Sequence, residues 1–122
     1  MKAFLLVFLG GGLGSALRYL IQRLYNTSTW PLGTMLVNIL GCLIIGFVAG
    51  YLIKTEKYSI SLNLLVISGF CGGFTTFSSF GLEGVKMLQA QAYWQFLGYT
   101  LLSLCLGYLA VGVGLFIMKV SY

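Results

Sequence analysis

The sequence has no histidine, one proline and only two acidic residues, Glu56 and Glu83, both glutamates. The lack of histidine and aspartate removes the side chains most used for proton transfer near neutral pH. No nucleophile–base pairing is in evidence, and an enzyme is not indicated. The three cysteines, Cys42, Cys71 and Cys105, lie in apolar stretches without CxxC spacing. Their number is odd, so they read as packing residues, not as a disulfide framework or a metal site. Charged residues make up 7% of the chain, against roughly a quarter in soluble domains. The net charge of +5 comes without any basic cluster to follow a phosphate backbone. That balance suits anchoring at a membrane surface better than nucleic-acid binding.

What remains is apolar. The chain is 59% hydrophobic over 122 residues, enough for about four membrane crossings of roughly 20 residues each. The sequence predicts an all-α integral membrane protein with a single four-helix domain over 1–122. The approximate spans are 3–25, 32–53, 58–88 and 94–118, with the third interrupted in mid-membrane. The first span is too long and glycine-rich for a cleavable signal and carries Arg18 and Arg23 at its far end. Tyr25, Trp30, Tyr51, Tyr58, Tyr93 and Trp94 fall at span ends, where amphipathic rings favour the headgroup level.

The basic residues barely favour one orientation. Lys2, Lys54, Lys57 and Lys119 fall on one side, and Arg18, Arg23 and Lys86 on the other, four against three. Either the chain inserts both ways up, or features outside a simple count orient it. Dual topology would let an up copy and a down copy pair about an axis in the membrane plane.

Several polar features sit within the apolar segments. The small residues of "GGGLGS" (10–15), with Gly41, Gly46 and Gly50, read chiefly as close helix packing. Asn38 is isolated in the second span, so its amide either bridges helices or faces a wet cavity. Arg18 either snorkels to the interface or places a fixed positive charge at the mouth of an anion path. Glu83, near the same side, is placed to pair with a basic residue. Ser103 is a weaker polar signal, since serine can bond its own helix backbone.

The most specific stretch is "CGGFTTFSSF" (71–80). Gly72–Gly73 is expected to break the helix and free carbonyls, which are good ligands for a small alkali cation. Where helix resumes, Phe77 and Phe80 fall about 60° apart as an aromatic stripe. Thr75, Ser78 and Ser79 gather on another face, with Thr76 between. Donor hydroxyls and the positive edges of aromatic rings both suit an anion.

With "GFCGGFTTFSSF" (69–80), "GGGLGSALRY" (10–19) and "PLGTMLVNILG" (31–41) in this order, the whole chain resembles the CrcB/Fluc fluoride channels. The resemblance implies a multi-pass protein of the bacterial plasma or inner membrane that lets fluoride leak passively from the cytoplasm and so confers fluoride resistance. It implies an antiparallel dual-topology homodimer with two pores and a structural sodium ion, Na+, at the dimer interface. By position, Gly72 and Thr75 match the residues whose backbone carbonyls hold sodium. Phe77 and Phe80 match the pore phenylalanines, Asn38 the pore asparagine and Arg18 the vestibule arginine. Ser103, with Thr76, Ser78 or Ser79, corresponds to the polar track. Gly107 departs from the pattern, since some members carry a hydroxyl there; Tyr99 and Tyr108 are the candidate substitutes.

The competing reading is a small proton-coupled multidrug exporter of the four-helix dual-topology type. Such a protein needs an intramembrane carboxylate. Glu56 is placed in a loop and Glu83 near a span end, which disfavours it. A purely structural subunit leaves the third-span motif unexplained.

Overall fold

A computed structural model describes residues 1–55 and 59–119. The expected span start at Tyr58, with Glu56 and Lys57, lies outside the described residues. Among the described residues, four helical segments are long and apolar enough to cross a membrane: Lys2–Tyr25, Leu32–Thr55, Ile60–Gln89 and Tyr93–Ile117. These match the expected spans to within a few residues, and the protein is an all-helical, multi-pass membrane protein.

Helix α1 (Lys2–Tyr25) ends where the chain turns through Asn26 to Pro31. Thr27 closes that turn: its amide reaches the Trp30 carbonyl at 3.0 Å, and its hydroxyl accepts from the Trp30 amide at 3.0 Å. Pro31 has no amide to satisfy, and its carbonyl takes the Met35 amide at 3.1 Å, starting α2 (Leu32–Thr55). Helix α2 is apolar on all sides, as a span with lipid and protein neighbours requires.

The third span is composite. One α-helical turn, α3 (Ile60–Leu62), is capped by the Ser59 hydroxyl on the Leu62 amide at 3.2 Å. It leads into a π-helical stretch, π1 (Asn63–Cys71), and a second short turn, α4 (Gly72–Phe74). Thr75 and Thr76 are then extended before α5 (Phe77–Gln89). Helix α6 (Tyr93–Ile117) completes the bundle.

The break therefore exists but is displaced from its expected place. Gly72 is helical at φ −61°, ψ −38°, whereas Thr75 (φ −84°, ψ 158°) and Thr76 (φ −150°, ψ 115°) leave the helix. The physical reason is a division of labour. Extended backbone suits β-branched threonine, whose hydroxyls can replace lost ladder bonds. Gly73 is needed for space, since a Cβ there would collide with the Gly11 carbonyl of α1.

Small residues set both main helix pairs. On one side, α1 crosses the third span where Gly10 and Gly14 face Gly69 and Phe70; a Cβ on either α1 glycine would strike third-span backbone. On the other, α2 crosses α6 where Gly46 meets Val111 and Gly114 meets Leu43 and Phe47. With no water to expel between spans, such close backbone approach supplies the dispersion contacts that hold them together.

Candidate functional site: a broken helix beside an aromatic groove

The break is defined by where its backbone hydrogen bonds go. In a continuous helix the Thr76 amide would close on the Gly72 carbonyl; instead it donates to Asn38 Oδ1 at 2.7 Å. Asn38 Nδ2 donates back to the Thr76 carbonyl at 3.2 Å. The amide of Ser79 would close on the Thr75 carbonyl; instead Thr76 Oγ1 accepts it at 3.1 Å as the N-cap of α5. Both Gly72 and Thr75 carbonyls are thereby released from the helical ladder. The two carbonyls that flank Gly72 are occupied. The Cys71 carbonyl accepts from the Thr75 amide at 3.0 Å and the Thr75 hydroxyl at 2.8 Å. The Gly73 carbonyl accepts from Arg18 Nε at 2.9 Å and Ser15 Oγ at 3.4 Å.

Asn38 bridges helices, and it does so by holding both backbone groups of Thr76 at the break while also lining the groove described next. Arg18 neither snorkels free nor stands alone; its guanidinium caps the segment that ends at the break.

A groove of about 410 Å³ runs alongside the break between α2, the third span and α6. It brings together Asn38, Gly72, Thr75, Thr76, Phe77, Phe80 and Ser103. Ser103 Oγ is buried and has no hydrogen-bond partner among the described residues, an unusual condition for a buried hydroxyl. Serine has a backbone partner within its own helix to turn to, and here it does not take it. Ser78 and Ser79 do not line the groove. Both cluster on Thr76 Oγ1, each with its hydroxyl at 3.2 Å. The expected hydroxyl face of Thr75, Ser78 and Ser79 is thus an N-cap cluster, because Thr75 lies outside the helix. Arg18 is also absent from the groove lining.

Phe77 and Phe80 stand next to each other, ring centroids 5.9 Å apart. Phe77 is 83% exposed, leaving the groove open on that side. Phe80 packs on Tyr99 at 5.2 Å, and Tyr99 meets the edge of Trp30 at 5.8 Å. Of the two tyrosines that could replace the hydroxyl missing at Gly107, Tyr108 lines the groove and Tyr99 is fully buried outside it.

Beyond Tyr99 lies a polar cluster that sequence reasoning missed. Glu83 accepts from the hydroxyls of Thr34 and Tyr99, both at 2.7 Å, and from Asn26 Nδ2 at 3.4 Å. Gln22 Nε2 and Asn26 Nδ2 donate in turn to Thr34 Oγ1 at 3.0 and 3.2 Å. Among the described residues, neutral donors stand where a basic partner for Glu83 was expected. Hydroxyls held by surrounding helices solvate the carboxylate without a counter-charge. The signal was available, because a carboxylate in an apolar helix demands donors, and Thr34 lies within the quoted "PLGTMLVNILG". A second cavity of about 470 Å³ borders this cluster, lined by the 26–31 turn, Lys86 and Gln95.

Residues 5–115 match the family described as CrcB-like protein, Camphor Resistance (CrcB). Similar proteins include the "Fluoride-specific ion channel FluC" of Gloeothece citriformis, 46% identical with 98% of each chain covered. The protein of the same name from Flavobacterium psychrophilum is 43% identical, again over 98% of each chain. That of Helicobacter pylori strain P12 is 40% identical over 95% of this chain and 92% of its own. These relatives are named as channels, not enzymes. With the three glycine- and hydroxyl-bearing motifs now placed around one broken helix, the chain belongs to the CrcB-like family.

Proposed function

We propose that this protein is a fluoride channel giving passive efflux of fluoride down its electrochemical gradient. The observation that carries the reading is the unpartnered, buried Ser103 hydroxyl in a groove shared with the Phe77 and Phe80 rings. A small anion is well served by hydroxyl donors and by the positive edges of aromatic rings. The names of the relatives supply the ion. A proton-coupled exporter gains no support: Glu83 lies outside the groove lining, its oxygens engaged by Thr34 and Tyr99.

Fluoride loaded into liposomes containing only this protein should leave through the wild type, while chloride and a drug cation stay behind. Retention of fluoride would remove the reading. Phe77→Ile should reduce the efflux severely in assembled protein, since isoleucine keeps bulk but has no ring edge. Wild-type flux in that variant would return Phe77 to ordinary packing.

The proposed unit is an antiparallel homodimer with two pores. Its support is the four-against-three charge split and the open side of the groove at exposed Phe77. C-terminal reporters active on one side of the membrane only should reveal both orientations in one cell population; a single orientation would sink it. The dimer would hold a sodium ion through the Gly72 and Thr75 carbonyls of both copies. The residues fit such an ion, because those two carbonyls have lost their helical amides. Gly72 is also exposed, with open space where a Cβ would stand. When bound, the ion would offset carbonyl dipoles that otherwise repel each other across the interface.

A further inference from the structure

Two features of α1 meet at the break. Gly11, Gly14, Ser15 and Arg18 share one face of the helix at spacings of three, four and seven residues from Gly11. A Cβ on Gly14 would collide with the Phe70 carbonyl, and one on Gly73 would collide with the Gly11 carbonyl and lie 2.9 Å from Ser15 Oγ. The glycines thus bring α1 against the third span closely enough for Ser15 and Arg18 to reach one particular carbonyl, that of Gly73.

That carbonyl stands between two released ones in the chain. Where the ladder opens, the carbonyls of Gly72, Gly73, Phe74 and Thr75 all lose or risk losing their helical amides, those of Thr76, Phe77, Ser78 and Ser79. Gly73 alone of these four receives charged and hydroxyl donors from α1. A guanidinium at the C-terminal end of a helical segment also complements the partial negative charge gathered there.

We propose that Arg18, assisted by Ser15, is a positioning residue that decides which carbonyls the break leaves free for a cation. By taking the Gly73 carbonyl it prevents the Phe77 amide from reclaiming it and re-forming the helix across Thr75–Thr76. That withdraws the Gly73 carbonyl from the break, and among those still free are the Gly72 and Thr75 carbonyls proposed above for a monovalent ion. This inference rests on the proposed sodium site, and it assigns the "GGGLGSALR" motif (10–18) a role in building that site rather than in lining an anion mouth.

The test uses purified full-length protein in detergent, titrated with sodium chloride against N-methylglucamine chloride at constant ionic strength. Melting temperature and dimer fraction are read, not flux. Sodium should stabilise the wild type, and Arg18→Gln should raise the sodium concentration at the midpoint by about tenfold, the scale of one lost charge-assisted hydrogen bond. Arg18→Lys, which keeps a charged donor, should recover part of the shift, and Ser15→Ala should give a smaller shift of the same sign. An unchanged midpoint with a uniformly lower melting temperature would mean that Arg18 only packs, and would overturn the proposal. A lowered midpoint would overturn it too, since loss of positive charge alone tightens a cation site. If Arg18→Gln does not fold, unchanged midpoints in both Arg18→Lys and Ser15→Ala are the overturning result. A wild type indifferent to sodium would instead remove the sodium site itself, and this inference with it.

Discussion

Gly14→Val is expected to abolish the folded protein, while Gly12→Ala two residues away is expected to be neutral or mildly stabilising. The two glycines lie on one helix but on different faces. A Cβ at Gly14 would collide with the Phe70 carbonyl oxygen and lie 2.8 Å from the Phe74 amide nitrogen, so its neighbours are backbone that cannot rotate aside. At Gly12 nothing lies within 4 Å. Forcing α1 away from the third span would also pull Ser15 and Arg18 off Gly73. The loss should be on the order of 4 kcal/mol or more, the range reserved for overpacking that nothing relieves. Gly12→Ala should gain up to ~1 kcal/mol from helix propensity. Thermal unfolding and the yield of monodisperse protein check both. A stable, well-behaved Gly14→Val variant would mean that the α1 crossing is looser than described.

Asn38→Asp should nearly abolish fluoride flux at neutral pH and restore much of it in acid. The amide satisfies Thr76 twice, accepting its N–H at 2.7 Å and donating to its carbonyl at 3.2 Å. An ionised carboxylate keeps the first bond and loses the second, turning one oxygen on another. It also adds a negative charge to the groove. At about 6 Å from a passing anion and an effective dielectric near 20, that charge opposes passage by roughly 3 kcal/mol, about a hundredfold in rate. The protonated carboxyl is neutral and has an O–H for the Thr76 carbonyl, so flux should rise as pH falls through its pKa. Efflux measured across pH, with dimer content as control, decides it. Flux unchanged at neutral pH would leave Asn38 as a helix bridge and nothing more.

The spans were legible because a membrane crossing is a composition and a length, both local. The crossing glycines of α1 and α2 were legible for the same reason, at least as packing residues, whereas Gly69 of the third span was not singled out. The third span was legible only in part. The double glycine looks like the weak point of the helix, and in isolation it would be. Tertiary contacts reverse this: α1 needs Gly73 flat, and Asn38 of α2 rewards extended backbone at Thr76. The π-helical stretch Asn63–Cys71 has no composition of its own in this sequence, being mostly apolar residues with nothing that marks a π-helix over an α-helix. Glu83 was visible as a charge needing partners, but its donors come from α2, α6 and the turn after α1. Which of these helices face each other is a matter of bundle topology, and hydropathy carries no record of it.

The edge contact of Trp30 on Tyr99, 5.8 Å between centroids, gives the protein a native optical probe. The sequence has two tryptophans, and Trp94 is 86% exposed and would emit as a lipid-facing indole. With Trp94→Phe, the remaining indole sits in a half-buried turn one ring away from Tyr99 and two from Phe80. Its emission maximum and lifetime then depend on how those rings lie. Rearrangements beside the groove become readable by fluorescence in unlabelled protein, on the nanosecond scale of the probe itself.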